Sequence, residues 1–168
     1  MRRPLTAVWI GHALVSEIFF QAGRDSERET GGVLMGYSRP GMDGADNVVI
    51  THIIGSGPRA EHERTSFVPD YDWQNTEIAG IYEESGRRAS YLGDWHTHPH
   101  AAPIPSKLDL LTLRRIALHK AARCTQPLMA IVGADDVGSP IIRVVRYEPR
   151  AGWRGAGPQA AAVVLKTF

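Results

Sequence analysis

The stretch GDWHTHPHAAPIPSKLD, residues 93–109, gathers three histidines, two carboxylates and a serine into seventeen positions, with three prolines among them. The apolar run SYLGDWHTH that leads into it reads as a strand. The segment SKLDLLTLRRIALHKAA that leaves it reads as a helix, with Leu110, Leu113 and Ala117 forming a buried stripe. His96 and His98 lie two apart at the strand end, so both side chains leave the same face of the sheet. Asp109 falls in the first turn of the helix, and the PHAAPIP loop is long enough to fold its carboxylate back toward the strand. Two histidines and one carboxylate make a three-donor set, which in zinc sites is the catalytic pattern because the fourth position stays open for water. A structural site would close that position, typically with cysteine. Ser106, three residues before Asp109, has the spacing of a capping box. It shares the helix N-terminus and could also aim its hydroxyl at an oxygen bound near the metal.

Working outward, the chain of 168 residues is 43% hydrophobic and 22% charged, the range of one compact domain spanning residues 1–168. Its 19 basic and 18 acidic residues nearly cancel, so no global charge draws it to nucleic acid or to a membrane surface. Cys124 is the one cysteine. It sits between a helix and a strand with nothing nearby to activate a thiol. The N-terminal apolar run is broken by Gly11, His12, Ser16 and Glu17 and reads as mature protein. No window approaches the ~18–20 apolar residues of a membrane span, and a cytoplasmic location is the default expectation.

Leu5 to Ile10 reads as a first strand and VSEIFFQAGRDS as an amphipathic helix with Val15, Ile18 and Phe19 on one face. GGVLMGY is short and apolar and reads as a buried strand, returning through the turn-rich SRPGMDGADN to VVITHIIG. From Gly55 to Asp72 the chain is polar and irregular, longer than a plain connection requires, and is a candidate substrate-facing insertion. YDWQNTEIAGIYEESGRRA carries Trp73, Ile78 and Ile81 at helical spacing. PLMAIVGA and PIIRVVRYEP read as two strands, and the Gly- and Ala-rich segment 149–168 offers a further strand at AAVVLKTF. The fold class is mixed α/β of the α+β type, a mostly antiparallel sheet flanked by about three helices.

A metal-bound water needs a base to take its proton and pass it to the leaving group. Glu29, in ETGGVLMG, stands directly before a buried strand, where a glycine pair permits close backbone approach. Glu27 and Asp94 are rivals by position. His62 and His100 lack a spacing argument and read as surface residues, while His12, His52 and His119 read as structural or solvated.

Glu29 before a Gly-rich apolar strand, His96-x-His98-Pro99, six intervening residues, then Ser106-x-x-Asp109 resembles the JAMM (MPN-plus, or JAB-domain) metalloprotease family over roughly residues 5–148. The chain is most similar to its short stand-alone bacterial members. The resemblance implies one zinc ion per chain held by His96, His98 and Asp109, with a metal-bound water. It also implies Glu29 as general acid/base and Ser106 as support for the tetrahedral oxyanion. The family's activity implies cleavage after the C-terminal glycine of ubiquitin or a ubiquitin-like protein, as deconjugation or precursor processing, in a bacterial conjugation or antiphage system. The substrate would be that ubiquitin-like protein or its conjugate. Release of cysteine or sulfur from a ubiquitin-like sulfur carrier is the alternative reaction, and a scaffold domain the non-enzymatic reading. The intact donor set argues against the scaffold.

Overall fold

The computed structural model describes residues 5–40, 46–149 and 159–168. The turn at 41–45 and the Gly- and Ala-rich stretch 150–158 lie outside the described residues, as does the start of the chain. Among the described residues the order is β1 (Leu5–Ile10), α1 (His12–Gly23), β2 (Gly31–Pro40), β3 (Asp46–Ile54), β4 (Glu61–His62), β5 (Phe67–Val68), α2 (Tyr71–Glu84), β6 (Ser90–Thr97), α3 (Lys107–Leu118), β7 (Leu128–Ala134), β8 (Pro140–Glu148), β9 (Gln159–Val163) and β10 (Leu165–Thr167). The mixed α+β class read from the sequence is the one observed. Helix α1 starts three residues earlier than its apolar periodicity suggested, directly after Gly11. The 106–122 helix breaks at His119, where the chain turns extended before a 3-10 turn over Lys120–Ala122.

One large sheet runs β10-β1-β3-β2-β6-β7-β8-β9, and β4-β5 form a separate two-stranded piece. The β2, β3, β6 and the β7, β8, β9 neighbours pair antiparallel, whereas β6-β7, β1-β3 and β1-β10 are parallel. The single C-terminal strand anticipated at 161–168 is a correction. It is two strands, β9 and β10, separated only by Val164 yet sitting on opposite edges of the sheet. The sheet is therefore curled until its edges meet in one continuous segment, with the Val8 N–H donating to the Val164 carbonyl at 2.9 Å.

Alternation along the strands sorts side chains to two faces. Val8, Ile10, Val48, Ile50, Leu34, Trp95, Leu128, Ala130 and Val144 point to one, where Ile18 of α1 packs among them. Trp95 is fully buried, and its indole N–H donates to the Ile54 carbonyl at 3.1 Å. The other face carries two helices. Trp73, Ile78 and Ile81 of α2 pack on Val33, Met35 and Ile54. Leu113 of α3, with Leu110 and Ala117 beside it, packs on Met129, Ile131, Val145 and Tyr147. Strand β7 is covered on both faces, which is why its sequence is a continuous apolar run rather than an alternation. No helix among the described residues is long and apolar enough to cross a membrane.

Candidate metal centre

Strand β6 delivers the histidines. Gly93, with φ +147, lies where the β2-β6 register shifts, and a Cβ there would collide with the Leu128 backbone of β7. Only glycine fits. Beyond it Asp94 and His96 share the face opposite Trp95, and His98 follows just past the strand end. The His98 N–H donates to the Val132 carbonyl at 2.7 Å, and the His98 carbonyl accepts from the Ala101 N–H at 3.2 Å, so the turn after the strand is tied down.

Helix α3 delivers the carboxylate. Ser106 is its N-cap: the hydroxyl accepts from the Asp109 N–H at 3.1 Å and the Asp109 Oδ2 accepts from the Ser106 N–H at 2.6 Å, a complete capping box. Asp109 and Leu113 lie four apart on one helix face. Burying Leu113 against β7 and β8 thus turns Asp109 toward the end of β6.

The three donors converge. His96 Nε2 lies 3.0 Å from His98 Nε2 and 3.2 Å from Asp109 Oδ1, and His98 Nε2 lies 3.3 Å from Asp109 Oδ2. Among the described residues this is the one group of side chains arranged to hold a metal ion. A tetrahedral zinc site with bonds of about 2.0–2.1 Å has donors about 3.3 Å apart. Each histidine nitrogen faces a different oxygen of the Asp109 carboxylate, and with a single oxygen as ligand the three donor atoms lie within 4.8 Å of one another. Two imidazole nitrogens as close as 3.0 Å need a proton or a cation between them. The residues present therefore fit a tetrahedral metal with a free fourth position.

Electrostatics agree. Burial alone would raise the Asp109 carboxyl, but hydrogen bonds from both histidines and from the Ser106 N–H outweigh it and hold the group well below the usual carboxylate range. Asp109 is thereby an anion ready to bind a cation. The same hydrogen bond to Asp109 raises His98 against the opposing effect of its burial.

Of the three acids weighed as the base, Glu29 lies beside the triangle and feels the charges of His96, His98 and Asp109; burial raises its pKa. Glu27 is at the surface, paired with His100 at 2.8 Å and with Arg64 at 3.7 Å. Asp94 accepts a hydrogen bond from the Tyr91 hydroxyl at 2.8 Å, and burial pushes it up to about 6. The glycine pair after Glu29 has the function its position suggested. A Cβ on Gly31 would strike the Trp95 carbonyl and the His96 Cβ at 2.9 Å, and one on Gly32 would strike Ile54 and Trp95 of the flanking strands. The lack of side chains lets β2 draw the Glu29 end of the chain against the strand that carries the histidines.

A groove of about 900 Å³ leads to this site. Its lining includes Gln74 and Ile78 of α2, Thr112 and Ile116 of α3, Asp94 on the floor, and Phe67 from the 55–72 insertion, with Glu29, His96 and Asp109 among its walls. Cys124 takes no part: burial pushes its thiol up to about 11, far from the thiolate a nucleophile requires. One residue escaped sequence reasoning. His62, read as a surface residue, is half-buried, and its Nδ1–H donates to the Glu29 carbonyl at 2.9 Å. Their separation of 33 positions left no local signal.

Comparison with known proteins places the chain among these architectures. The family model for prokaryotic homologs of the JAB domain matches residues 12–146. A probable metalloprotease, y4qB, of Sinorhizobium fredii is 40% identical over 126 residues, covering 74% of each chain. A protein named CD-NTase/cGAS isopeptidase from Escherichia coli is 31% identical over 65% of this chain and 64% of its own length. One of the same name from Vibrio cholerae is 26% identical over 77% of each. The solution structure of protein DSY2949 from Desulfitobacterium hafniense superposes with a TM-score of 0.64 at 17% identity, covering 96% of this chain and 94% of that one, a likeness of fold.

Proposed function

The chain belongs to the prokaryotic JAB-domain family of metallopeptidases, and from that premise we propose that it is a zinc-dependent isopeptidase or peptidase cleaving after the C-terminal glycine of a ubiquitin-like protein. The observation that carries the reading is the donor triangle of His96, His98 and Asp109 with Glu29 beside it at the head of an open groove. When bound, zinc supplies Lewis acidity toward the scissile carbonyl and lowers the pKa of a water toward ~7. The chain's own groups do the rest. A carboxylate oxygen of Glu29 accepts the proton of the attacking water and hands it to the leaving amine. The Ser106 hydroxyl donates to the carbonyl oxygen as negative charge develops there.

A groove walled by two helices suits an extended tail better than a folded surface. Strand β5 pairs with β4 and contributes Phe67 to the groove, so a flexible tail would lie along it and pair by its backbone. The relatives named CD-NTase/cGAS isopeptidase favour an isopeptide bond as the target, hence deconjugation rather than release from a sulfur carrier. The setting is a bacterial cytoplasm with a conjugation or antiphage system.

The test is cleavage of ubiquitin-like fusions carrying a reporter on the C-terminal glycine, with chelator and after return of zinc. Chelation abolishes turnover and zinc restores it. Glu29→Gln keeps the metal and the fold but loses about 10²–10⁴-fold in rate, whereas Glu27→Gln is unchanged. Turnover indifferent to chelator would refute the metal mechanism.

A further inference from the structure

We infer that His62 is a positioning residue for Glu29, and that the 55–72 insertion serves the reaction by clamping the backbone of the base. The inference rests on Glu29 being that base. Glu29 precedes β2, whose first ladder partner is Gly31 opposite His96, so its own peptide groups lie outside the large sheet. Backbone groups at such a strand entry must find partners elsewhere. Both find them in the insertion. The Glu29 N–H donates to the Glu63 carbonyl at 2.7 Å, and the Glu29 carbonyl accepts from His62 Nδ1 at 2.9 Å.

The clamp is itself braced. The His62 ring lies nearly parallel to that of Phe67, with an interplanar angle of 12° and centroids 6.4 Å apart. Its Nε2 faces the Ser56 hydroxyl at 3.5 Å. A carbonyl can only accept, so Nδ1 carries the proton and Nε2 is left as acceptor. The Glu63 N–H closes the hairpin on the Ser66 carbonyl at 2.9 Å. At the ends of the insertion, Gln74 Nε2 donates to the Gly55 carbonyl at 2.7 Å, and Arg59 grips the buried Asp70 with bonds of 3.0 and 2.8 Å. On the far side of Glu29, the Thr30 N–H donates to the Thr97 hydroxyl at 3.0 Å, and the Thr97 N–H donates to the Thr30 carbonyl at 2.8 Å. The base is thus held between the ligand-bearing strand and the insertion. Transfer of a proton demands placement to within about 0.5 Å, and a 1 Å error costs on the order of a hundredfold.

The experiment compares His62→Ala, His62→Asn and His62→Gln in the zinc-loaded protein. The amide nitrogen of Asn occupies the place of Nδ1, whereas that of Gln occupies the place of Nε2. Amide exchange at Glu29 and turnover of a ubiquitin-like reporter fusion are the readouts. By loosening the hairpin that brings the Glu63 carbonyl to the Glu29 N–H, His62→Ala and His62→Gln speed exchange at Glu29 by on the order of tenfold. They lower kcat by about 10–100-fold with KM and zinc content unchanged, and His62→Asn restores both. Glu29 exchange that is unaltered in His62→Ala overturns the clamp, as does unaltered kcat in that variant beside an inactive Glu29→Gln. Normal turnover by Glu29→Gln strikes at the base assignment itself, and the inference falls with it. Should His62→Ala fold poorly, the Asn and Gln variants decide the matter between them: equal behaviour overturns the clamp.

Discussion

Ser106 holds two positions at once, and substitutions can separate them. Its hydroxyl accepts from the Asp109 N–H as the cap of α3, and the proposed mechanism asks the same hydroxyl to donate to the developing oxyanion. Ser106→Ala removes both. Loss of an N-cap costs about 1 kcal/mol, which in a chain of this size lowers Tm by roughly 2–4 °C. Loss of an oxyanion donor costs about 3–4 kcal/mol of barrier, or ~10²–10³-fold in kcat. Ser106→Gly separates the two, because glycine at an N-cap costs only a few tenths of a kcal/mol yet has no hydroxyl. The extended backbone at Ser106, φ −76 and ψ 169, is open to glycine. Ser106→Thr keeps both functions. Thermal unfolding and steady-state turnover on a reporter fusion should therefore give wild-type Tm with a collapsed kcat for Gly, and losses in both for Ala. Near wild-type values are the expectation for Thr. Full turnover by Ser106→Gly would refute the oxyanion role and leave the hydroxyl as a cap alone.

In the metal-free protein the Glu29 carboxyl should titrate above the ordinary 4.5, because burial penalises its charged form. Binding zinc should pull it back down, since a nearby cation favours the carboxylate. Carboxyl-carbon NMR assigned through Glu29→Gln reads both, and a metal-free value at or below 4.5 would contradict the burial argument. Gly32→Ala should destabilise by about 1–3 kcal/mol, because its Cβ would meet the Ile54 carbonyl carbon at 2.8 Å and Trp95 Nε1 at 2.9 Å. Denaturant midpoints check this, and a change below about 0.5 kcal/mol, the usual range of surface substitutions, would show that β2 has slack. Asp109→Asn should lower zinc occupancy by elemental analysis, whereas Cys124→Ser should leave occupancy and turnover intact. Loss of cleavage in Cys124→Ser would point to a thiol nucleophile instead.

The elements were legible where the pattern is local. Strand β7 was a continuous apolar run, and the Leu110, Leu113 and Ala117 stripe marked the inner face of α3. The capping-box spacing of Ser106 and Asp109 is realised in full. Boundaries were less legible, because the start of α1 after Gly11 involves no side-chain cap that a sequence would advertise.

His96 and His98 meet because a strand repeats every two residues, and Asp109 lies on the face of Leu113 because a helix repeats every 3.6. Such short-range periodicities belong to the sequence by itself, and they determined the donor types and the faces they occupy. Tertiary structure decided the rest. Glu29 and His62 are joined across 33 positions, and Thr30 and Thr97 across 67. Whether such residues touch depends on how β2 settles beside β6 and how the insertion folds back over its entry. The splitting of the last strand between β8 and β1 likewise follows from curling the whole sheet until its edges meet. No window of sequence contains that closure, because it is the sum of twist and packing over every strand between the two edges.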